Sequence, residues 1–278
     1  MIRFIIVLCL TLSSQANERI IALSPAINEI IFALGAGEQV VGNTTYSTYP
    51  EAAQKVAKVG GYFEPNLEKI LLLNPTLVIM QDNNLKLAKQ LNQLGIQTKV
   101  VDIDTIPHIR DSILVLGKLL HQETKAEAII NDIDTHLEAL KNIVSDKKIL
   151  IVIGHNTALV KQIFVAGQNL YFNDIIEASG NHNALQSTRT GQPILNQENI
   201  ISTDPDIVIL LAHAMKEKGL TTYDLIKPWK DLPIKVADTE QIYIIDKEYA
   251  GIPSDRLVLF LEDFQKILEQ YKTALSKP

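Results

Sequence analysis

Two histidines occupy positions from which a side chain could take part in binding or chemistry. His155 follows the apolar run 150–153 and His213 follows the apolar run 207–211, while the remaining histidines are dispersed along the chain. Unalternating apolar runs are typical of buried parallel strands, and ligands bind beyond the carboxyl ends of such strands. The two rings could hold a metal ion, or they are ordinary polar groups at the starts of loops.

No catalytic signature accompanies these histidines. The sequence contains no Gly-rich phosphate loop, no HExxH motif, no nucleophile elbow and no pair of cysteines. The residues therefore predict a protein that catalyses nothing, with an exported α/β enzyme as the alternative from a different class.

Glu68 and Glu198 lie at equivalent positions in two similar segments. Residues 66–80 read NLEKILLLNPTLVIM and residues 196–210 read NQENIISTDPDIVIL, with six of fifteen positions identical at an offset of 130. At the same offset, the strand candidate 20–23 corresponds to 150–153, and the pair Ala36-Gly37 corresponds to Ala166-Gly167. Repetition at one offset predicts two similar lobes.

Each repeated segment predicts a capped helix followed by a buried strand. Asn66 or Asn196 serves as the N-cap, and the helix stops before Pro75 or Pro205, because a residue that precedes proline avoids the α region. The apolar run that follows suits a parallel strand covered on both faces. Each glutamate is then the second residue of its helix, where the macrodipole favours a carboxylate by up to about 1 kcal/mol.

The remaining elements complete an α/β fold with two parallel-sheet lobes. The long helical pattern 122–144 contains no Gly or Pro, which predicts a rigid connecting helix. The predicted organisation is an N-terminal lobe 17–120, a connecting helix 121–145 and a C-terminal lobe 146–278. Further helices are predicted at 84–93, 172–178, 220–226 and 255–274, and further strands at 97–101, 234–237 and 241–245. The strand ends Ser24-Pro25, Gln81-Asp82, His155-Asn156 and Ala212-His213 would then surround a ligand cleft between the lobes.

The N-terminus has the pattern of an export signal. Arg3, the apolar run 4–12 and the small residues around Ala16 predict a signal peptide 1–16. Val7-Leu8 precede Cys9, which is unlike a lipoprotein signal, so we expect a periplasmic protein without a lipid anchor. Removal of residues 1–16 leaves no cysteine and hence no disulfide. The net charge of −6 gives no indication of nucleic-acid binding.

The stretch from Arg19 to Met80 resembles a known family. Its motifs RIIALSPAINEIIFALGAG, TTYSTYPEAA and VGGYFEPNLEKILLLNPTLVIM are similar to those of the class III periplasmic binding proteins of ABC importers for iron-siderophores, cobalamin and heme. The second repeat and the connecting helix extend the resemblance over nearly the whole mature chain. The resemblance implies two lobes joined by one helix, and it implies that Glu68 and Glu198 dock onto arginines of an inner-membrane permease.

The resemblance also indicates candidate ligand-binding residues. Tyr46 and Tyr62 match positions that line the pocket of cobalamin binders, whereas Gln81 and Gln192 stand where that pocket has aromatic residues. The segment 246–249 resembles one that carries an iron-ligating tyrosine in siderophore binders, which makes Tyr249 a candidate ligand to the Fe(III) of a bound chelate, since phenolate oxygen suits a hard ion.

Arg189 could neutralise an anionic ferric chelate, and His155 and His213 complete the candidate pocket. The expected function is delivery of a metal chelate, foremost a ferric siderophore, with cobalamin or heme as the alternative. No resident cofactor is expected, the protein is expected to act as a monomer, and the rigid helix predicts a small closure of the lobes.

Overall fold

The computed structural model describes residues 18–160, 162–187 and 192–276. The expected signal peptide, including Cys9, and the candidate residue Arg189 lie outside these ranges. Among the residues described, no helix has the length and apolar character needed to cross a bilayer.

The first lobe is a parallel sheet covered by helices. Its strands lie in the order β3-β2-β1-β4-β5, and every neighbouring pair is parallel. The strands are β1 (Ile20–Ala22), β2 (Val40–Asn43), β3 (Ala57–Lys58), β4 (Leu77–Met80) and β5 (Gln97–Val100). The helices are α1 (Pro25–Ala33), α2 (Glu51–Gln54), α3 (Leu67–Leu72) and α4 (Leu85–Gln93). The central strands β1 and β4 are fully buried, as their apolar composition predicts.

The second lobe repeats this plan and adds one antiparallel strand. Its strands lie in the order β11-β10-β6-β7-β9, with β8 also paired to β6. They are β6 (Lys148–Ile153), β7 (Ile163–Val165), β8 (His182–Asn183), β9 (Ile194–Leu195), β10 (Ile207–Leu211) and β11 (Ile242–Ile245). Strands β11, β10, β6 and β8 are parallel, whereas β7 runs antiparallel to β6 and to β9. The predicted α/β fold is confirmed, and the second sheet differs from an all-parallel sheet by the antiparallel strand β7.

Two helices lie between the last strand of the first sheet and the first strand of the second. They are α5 (Ile106–Leu119) and α6 (Glu123–Ala139), and α6 is shorter than the predicted connecting helix. It begins after His121, at φ 56°, and ends before Asn142, at φ 63°. Both residues adopt the left-handed conformation, which an α-helix cannot continue through. The two helices pack closely at Gly117, where a Cβ atom would lie 2.5 Å from the Cβ of Ala126.

One hydrophobic core runs through both lobes. It includes Ile27 of α1, Ile113 of α5, Ile133 of α6, and Phe260 and Phe264 of α11 (Leu257–Leu275). Helix α5 packs against α1 and α7 (Tyr171–Ala178), and α6 packs against α11 and α7. A second and a third apolar cluster cover the outer faces of the two sheets. The lobes are therefore joined by packed side chains as well as by the chain itself.

The strand register corrects the predicted repeat in two places. Ile20 lies opposite Leu77 in the first sheet, and Ile149 lies opposite Ile207 in the second. The structural counterpart of Ile20 is therefore Ile149, so the first strand repeats at an offset of 129. The match of Ala36 with Ala166 is coincidental, because the former follows α1 and the latter follows β7.

The structure reveals a further repeat in the helices. The sequence NEII at 28–31 in α1 corresponds to NDII at 173–176 in α7. Each helix comes after the first strand of its lobe, β1 or β6. Each also comes before the strand that pairs in parallel with that first strand, β2 or β8. Glu29 and Asp174 are therefore equivalent residues of the two lobes.

Candidate functional site

A cleft of about 750 Å³ opens between the two lobes, where the carboxyl ends of the sheets face each other. This volume is in the range of small-molecule binding sites. The first lobe and the start of α5 contribute Ser24, Tyr46, Tyr62, Phe63, Gln81 and Asp104 to its lining, and the second lobe contributes His155, Tyr171, Gln192, His213, Lys218 and Lys247. The two sides differ in chemistry.

The side of the cleft formed by the first lobe carries an aromatic wall, which we define as Tyr46, Tyr62 and Phe63. The rings of Tyr62 and Phe63 meet edge to face with centroids 4.6 Å apart. Phe63 is 78% exposed and Tyr46 is 65% exposed. Clustered aromatic rings left open to solvent are a common mark of a binding surface. Burial, together with the charges of Asp104 and Asp82, raises the pKa of Tyr62 to about 12, so its phenol is neutral at physiological pH.

Fixed loops present the aromatic wall. The carbonyl of Gly60 accepts hydrogen bonds from the backbone nitrogen (2.9 Å) and Oγ1 (3.1 Å) of Thr45, which ties the Tyr46 loop to the Tyr62 loop. Gly60 has φ 121°, and a Cβ atom there would lie 2.7 Å from the carbonyl oxygen of Glu64, so a side chain cannot be accommodated. The amide of Asn84 donates to the carbonyl of Tyr62 at 3.2 Å. Hydrogen bonds therefore fix the backbone that carries the rings of Tyr46 and Tyr62.

The side of the cleft formed by the second lobe carries basic and imidazole groups. His155 Nε2 lies 2.6 Å from the carbonyl oxygen of His213, and Lys218 Nζ lies 3.1 Å from His155 Nδ1. Both ring nitrogens of His155 are thus engaged in hydrogen bonds, which leaves neither free to bind a metal ion. No group of three or more metal-ligating side chains occurs in the part of the chain that the structure describes. The arrangement favours polar groups at loop starts over a metal-binding histidine pair.

Two aromatic residues of α7 form the floor of the cleft. Tyr171 and Phe172 both line it, with ring centroids 4.1 Å apart. The Tyr171 hydroxyl is buried with no hydrogen-bond partner among the described residues, and burial raises its pKa well above the ordinary value. A buried hydroxyl without a partner loses free energy relative to one that is hydrogen-bonded.

Most of the predicted pocket residues lie together. Tyr46, Tyr62 and Gln81 from the first lobe and His155, Gln192 and His213 from the second all line the cleft. Their roles in binding stay predictions. Phe63 and Lys218 were missed, although Phe63 has a signal in the sequence, since it adjoins Tyr62 just before the first repeated segment.

Tyr249 lies in a turn of 3₁₀ helix, Glu248–Gly251, and is not among the residues that line the cleft. Its hydroxyl donates to Asp263 Oδ2 of α11 at 2.6 Å. Burial and this hydrogen bond to a carboxylate raise the pKa of Tyr249 well above its ordinary value, which opposes formation of a phenolate. This placement argues against ligation of a metal by Tyr249, which stays a prediction, and the hydrogen bond connects the turn to α11.

Glu68 and Glu198 occupy matching surface positions. Each is exposed and is the second residue of its helix, α3 or α8 (Gln197–Thr203). The Asn66 side chain accepts from the backbone nitrogen of Lys69 at 2.9 Å, and the Asn196 side chain accepts from that of Asn199 at 2.8 Å. The predicted caps are confirmed. Within the described ranges neither glutamate takes part in an ion pair, and their docking role stays a prediction.

Two α/β lobes, a linking helix and a cleft lined from both sides define a bilobal binding protein. The model of the family described as "Periplasmic binding protein" matches residues 20–227. The chain therefore belongs to the periplasmic binding protein family, and its relatives are the class III substrate-binding proteins of ABC importers.

Three comparisons illustrate these relationships. An uncharacterized ABC transporter substrate-binding lipoprotein of Bacillus subtilis, YvrC, is 27% identical over 88% of this chain and 78% of its own length. A vitamin B12-binding protein of Salmonella typhimurium is 30% identical over 77% of this chain and 80% of its own. The structure of the periplasmic heme-binding protein RhuT from Roseiflexus sp. RS-1 superposes with a TM-score of 0.76 at 24% identity, covering 92% of this chain and 99% of that one.

Proposed function

We propose that this protein binds a metal chelate in the cleft between its lobes, in the periplasm, and presents the loaded complex to an inner-membrane permease. The observation that carries the proposal is the cleft itself, which has an aromatic wall on one side and cationic side chains on the other. Aromatic faces bind flat apolar ligand surfaces well. Membership of the family supports a binding role rather than an enzymatic one.

The first candidate ligand is a flat macrocyclic chelate, a heme or a corrinoid. The exposed rings of Tyr46 and Phe63 offer an apolar surface to such a macrocycle. The names of relatives that bind vitamin B12 and of structural neighbours that bind heme agree with this class of ligand.

A ferric siderophore, the ligand expected foremost from the sequence, is the second candidate. Lys218 and Lys247 in the cleft would favour an anionic ferric chelate. Tyr249 gives this candidate little support, because its hydroxyl donates to Asp263 and the residue is not among those that line the cleft.

The test is a binding screen with purified mature protein. Hemin, cyanocobalamin, an anionic ferric tricatecholate, an uncharged ferric trihydroxamate and free Fe(III) are titrated calorimetrically and by difference absorbance. We expect one chelate class to bind with a 1:1 endpoint at low micromolar or tighter affinity (roughly −8 kcal/mol or better). Absence of binding by every chelate, or preference for the free ion, would contradict the proposal.

A further inference from the structure

Lys218 stands out among the charged groups of the cleft because a histidine holds its side chain in place. We infer that Lys218, positioned by His155, binds a carboxylate or another anionic group of the ligand. The inference rests on the proposed function and narrows it, because it selects chelates that combine a flat face with an anionic arm over chelates that carry neutral arms.

The hydrogen bonds of His155 define the tautomer of its ring. The carbonyl oxygen of His213, 2.6 Å from His155 Nε2, can only accept, so Nε2 carries the proton. An ammonium group can only donate, so Nδ1 accepts from Lys218 Nζ at 3.1 Å. A neutral imidazole satisfies both bonds at once. His155 is thus an acceptor that directs the Lys218 ammonium, and its own ring is fully used.

The loop that carries Lys218 is held at both ends. The backbone nitrogen of Lys218 donates to the carbonyl of Ala214 at 3.2 Å, and that of Leu220 donates to the carbonyl of Met215 at 2.9 Å. The Met215 side chain is buried, and its backbone nitrogen donates to Asp246 Oδ1 at 3.3 Å. The lysine therefore extends from a compact turn anchored to the end of β11.

The cations of this side of the cleft lack ionic partners. Neither Lys218 nor Lys247 forms an ion pair within the ranges described. Of the acidic residues that line the cleft, Asp104 lies near Tyr62 on the aromatic side, where its charge raises the pKa of that phenol. The other, Glu248, accepts a hydrogen bond from Thr48 of the first lobe. The described residues of the second lobe that line the cleft thus include two lysines and one carboxylate, and they carry a net positive charge.

This charge distribution has a consequence for the ligand. A ligand that fills the cleft removes water from the Lys218 ammonium, whose bond to His155 uses only one of its three N–H donors, and a desolvated charge without a counter-charge costs several kcal/mol. A carboxylate placed against Nζ offsets that cost with a charge-assisted hydrogen bond. A neutral amide arm would offset much less of the desolvation cost. The cleft therefore matches a ligand whose flat face lies on the aromatic wall while an anionic arm reaches Lys218.

The experiment compares hemin with hemin dimethyl ester, which has the same ring but masked carboxylates. The proteins are the wild type, Lys218→Gln and the control Lys216→Gln, which alters an exposed lysine of the same turn that does not line the cleft. We expect Lys218→Gln to weaken hemin binding about 10- to 100-fold and to leave ester binding nearly unchanged. The control is expected to match the wild type with both probes.

The positioning role of His155 is tested by two substitutions. His155→Leu removes the acceptor for Lys218, and His155→Gln keeps an acceptor oxygen on a flexible side chain of similar reach. We expect His155→Leu to lose the preference for hemin over the ester and His155→Gln to recover most of it. A role in stability alone would affect both probes equally.

Equal affinity of the wild type for hemin and its ester, or an equal loss of both in Lys218→Gln, would overturn the inference while the proposed function stands. If hemin does not bind, the same variants are titrated with the anionic ferric tricatecholate and the uncharged trihydroxamate, and only the anionic chelate should respond to Lys218. Failure of every chelate to bind overturns the proposed function, and this inference with it.

Discussion

Arg256 of the second lobe donates two hydrogen bonds to Glu29 of the first lobe, across the boundary between them. Its Nε lies 3.0 Å from Glu29 Oε2, and its Nη2 contacts Oε1. Ser254 Oγ donates to Oε2 at 2.5 Å. Glu29 is 2% exposed and Arg256 is 9% exposed. Asp174, the counterpart of Glu29 in α7, likewise accepts from the backbone nitrogen of Ile106 in α5, at 2.7 Å. Equivalent carboxylates thus connect each lobe to the other half of the molecule.

Arg256→Ala is expected to lower the free energy of unfolding by about 3–5 kcal/mol, because it leaves the Glu29 carboxylate buried without its charged partner. The substitution also removes a cation–π contact, since the guanidinium carbon lies 3.8 Å from the centroid of Tyr49. Urea denaturation measures the change. The control is Lys227→Ala, which breaks an exposed pair with Asp231 and is expected to cost less than about 1 kcal/mol. A similar small loss in both variants would argue against a stabilising role for the buried pair.

Asp255 lies next to the pair of Glu29 and Arg256, and we expect it to make the stability of the fold depend on pH. Burial and the nearby charge of Glu29 raise its pKa from 3.8 to about 6. The folded protein therefore holds the proton more tightly than the unfolded chain does, so ionised Asp255 destabilises the fold above about pH 6. That penalty disappears as the pH falls from about 6 to about 4.

We accordingly expect Asp255→Asn to be more stable than the wild type near pH 7.5, by about 2 kcal/mol once solvent screening at this partly exposed group is allowed for. The difference should vanish near pH 4. Urea denaturation across this range measures it, and a difference that does not change with pH would refute the assignment.

The aromatic wall is expected to contribute to ligand affinity without stabilising the fold. Phe63→Ala removes a ring that is 78% exposed, so the free energy of unfolding should change little. Loss of its contact with a flat ligand should weaken binding about tenfold. Calorimetric titration with the chelate identified in the screen measures the effect. Tyr223→Ala, which removes a 66% exposed ring of α9 (Thr222–Lys230) outside the cleft, should leave affinity unchanged.

If Glu68 and Glu198 dock onto the permease, as proposed, their removal should impair transport without impairing binding. The double variant Glu68→Ala, Glu198→Ala should bind its ligand with wild-type affinity yet support uptake at least about tenfold more slowly, because complementary charges govern encounter and orientation. Uptake of labelled ligand by cells that carry the cognate permease measures the rate. Glu51→Ala, at an exposed helix start of the first lobe, is the control. Uptake at the wild-type rate in the double variant would exclude docking through these residues.

Tyr249→Phe distinguishes a structural contact from a metal ligand. Loss of the hydrogen bond to Asp263 should lower the free energy of unfolding by about 1 kcal/mol, and ligand affinity should not change. Loss of binding, or a shift in the visible spectrum of the bound chelate, would instead identify Tyr249 as a ligand to the metal.

The elements that sequence analysis predicted well are those with local signals. The Asn66 and Asn196 caps and the stops before Pro75 and Pro205 depend on neighbours a few residues away, and both helix–strand segments form as predicted. The end of β11 and the closing helix α11 also agree with their apolar patterns. Residues at predicted strand ends, such as Gln81 and His155, line the cleft because the carboxyl ends of parallel strands share one edge, whereas Tyr62 was indicated by the family resemblance.

The elements that sequence analysis missed depend on contacts between distant segments. The stretch 234–237 alternates like a strand, yet residues Lys235–Thr239 form a helix, α10. The backbone nitrogen of Lys235 donates to Asp204 Oδ1 at 3.0 Å, its side chain pairs with Asp206, and Val236 is buried. Helix α5 and the strands β7 and β9 were not predicted either. The pairing of Glu29 with Arg256, 227 positions apart, has no local signature.

The continuity of the hydrophobic core from Ile27 to Phe264 has a mechanical consequence. Separation of the lobes would expose aliphatic and aromatic side chains to solvent. The cost is roughly 25 cal/mol for each Å² of apolar surface exposed. The empty and loaded forms are therefore expected to have nearly the same outline, with adjustment confined to rotating rings such as Phe63. Release of the ligand would then require the permease to separate the lobes. The free energy for release would be supplied by the transporter and not by spontaneous opening of the binding protein.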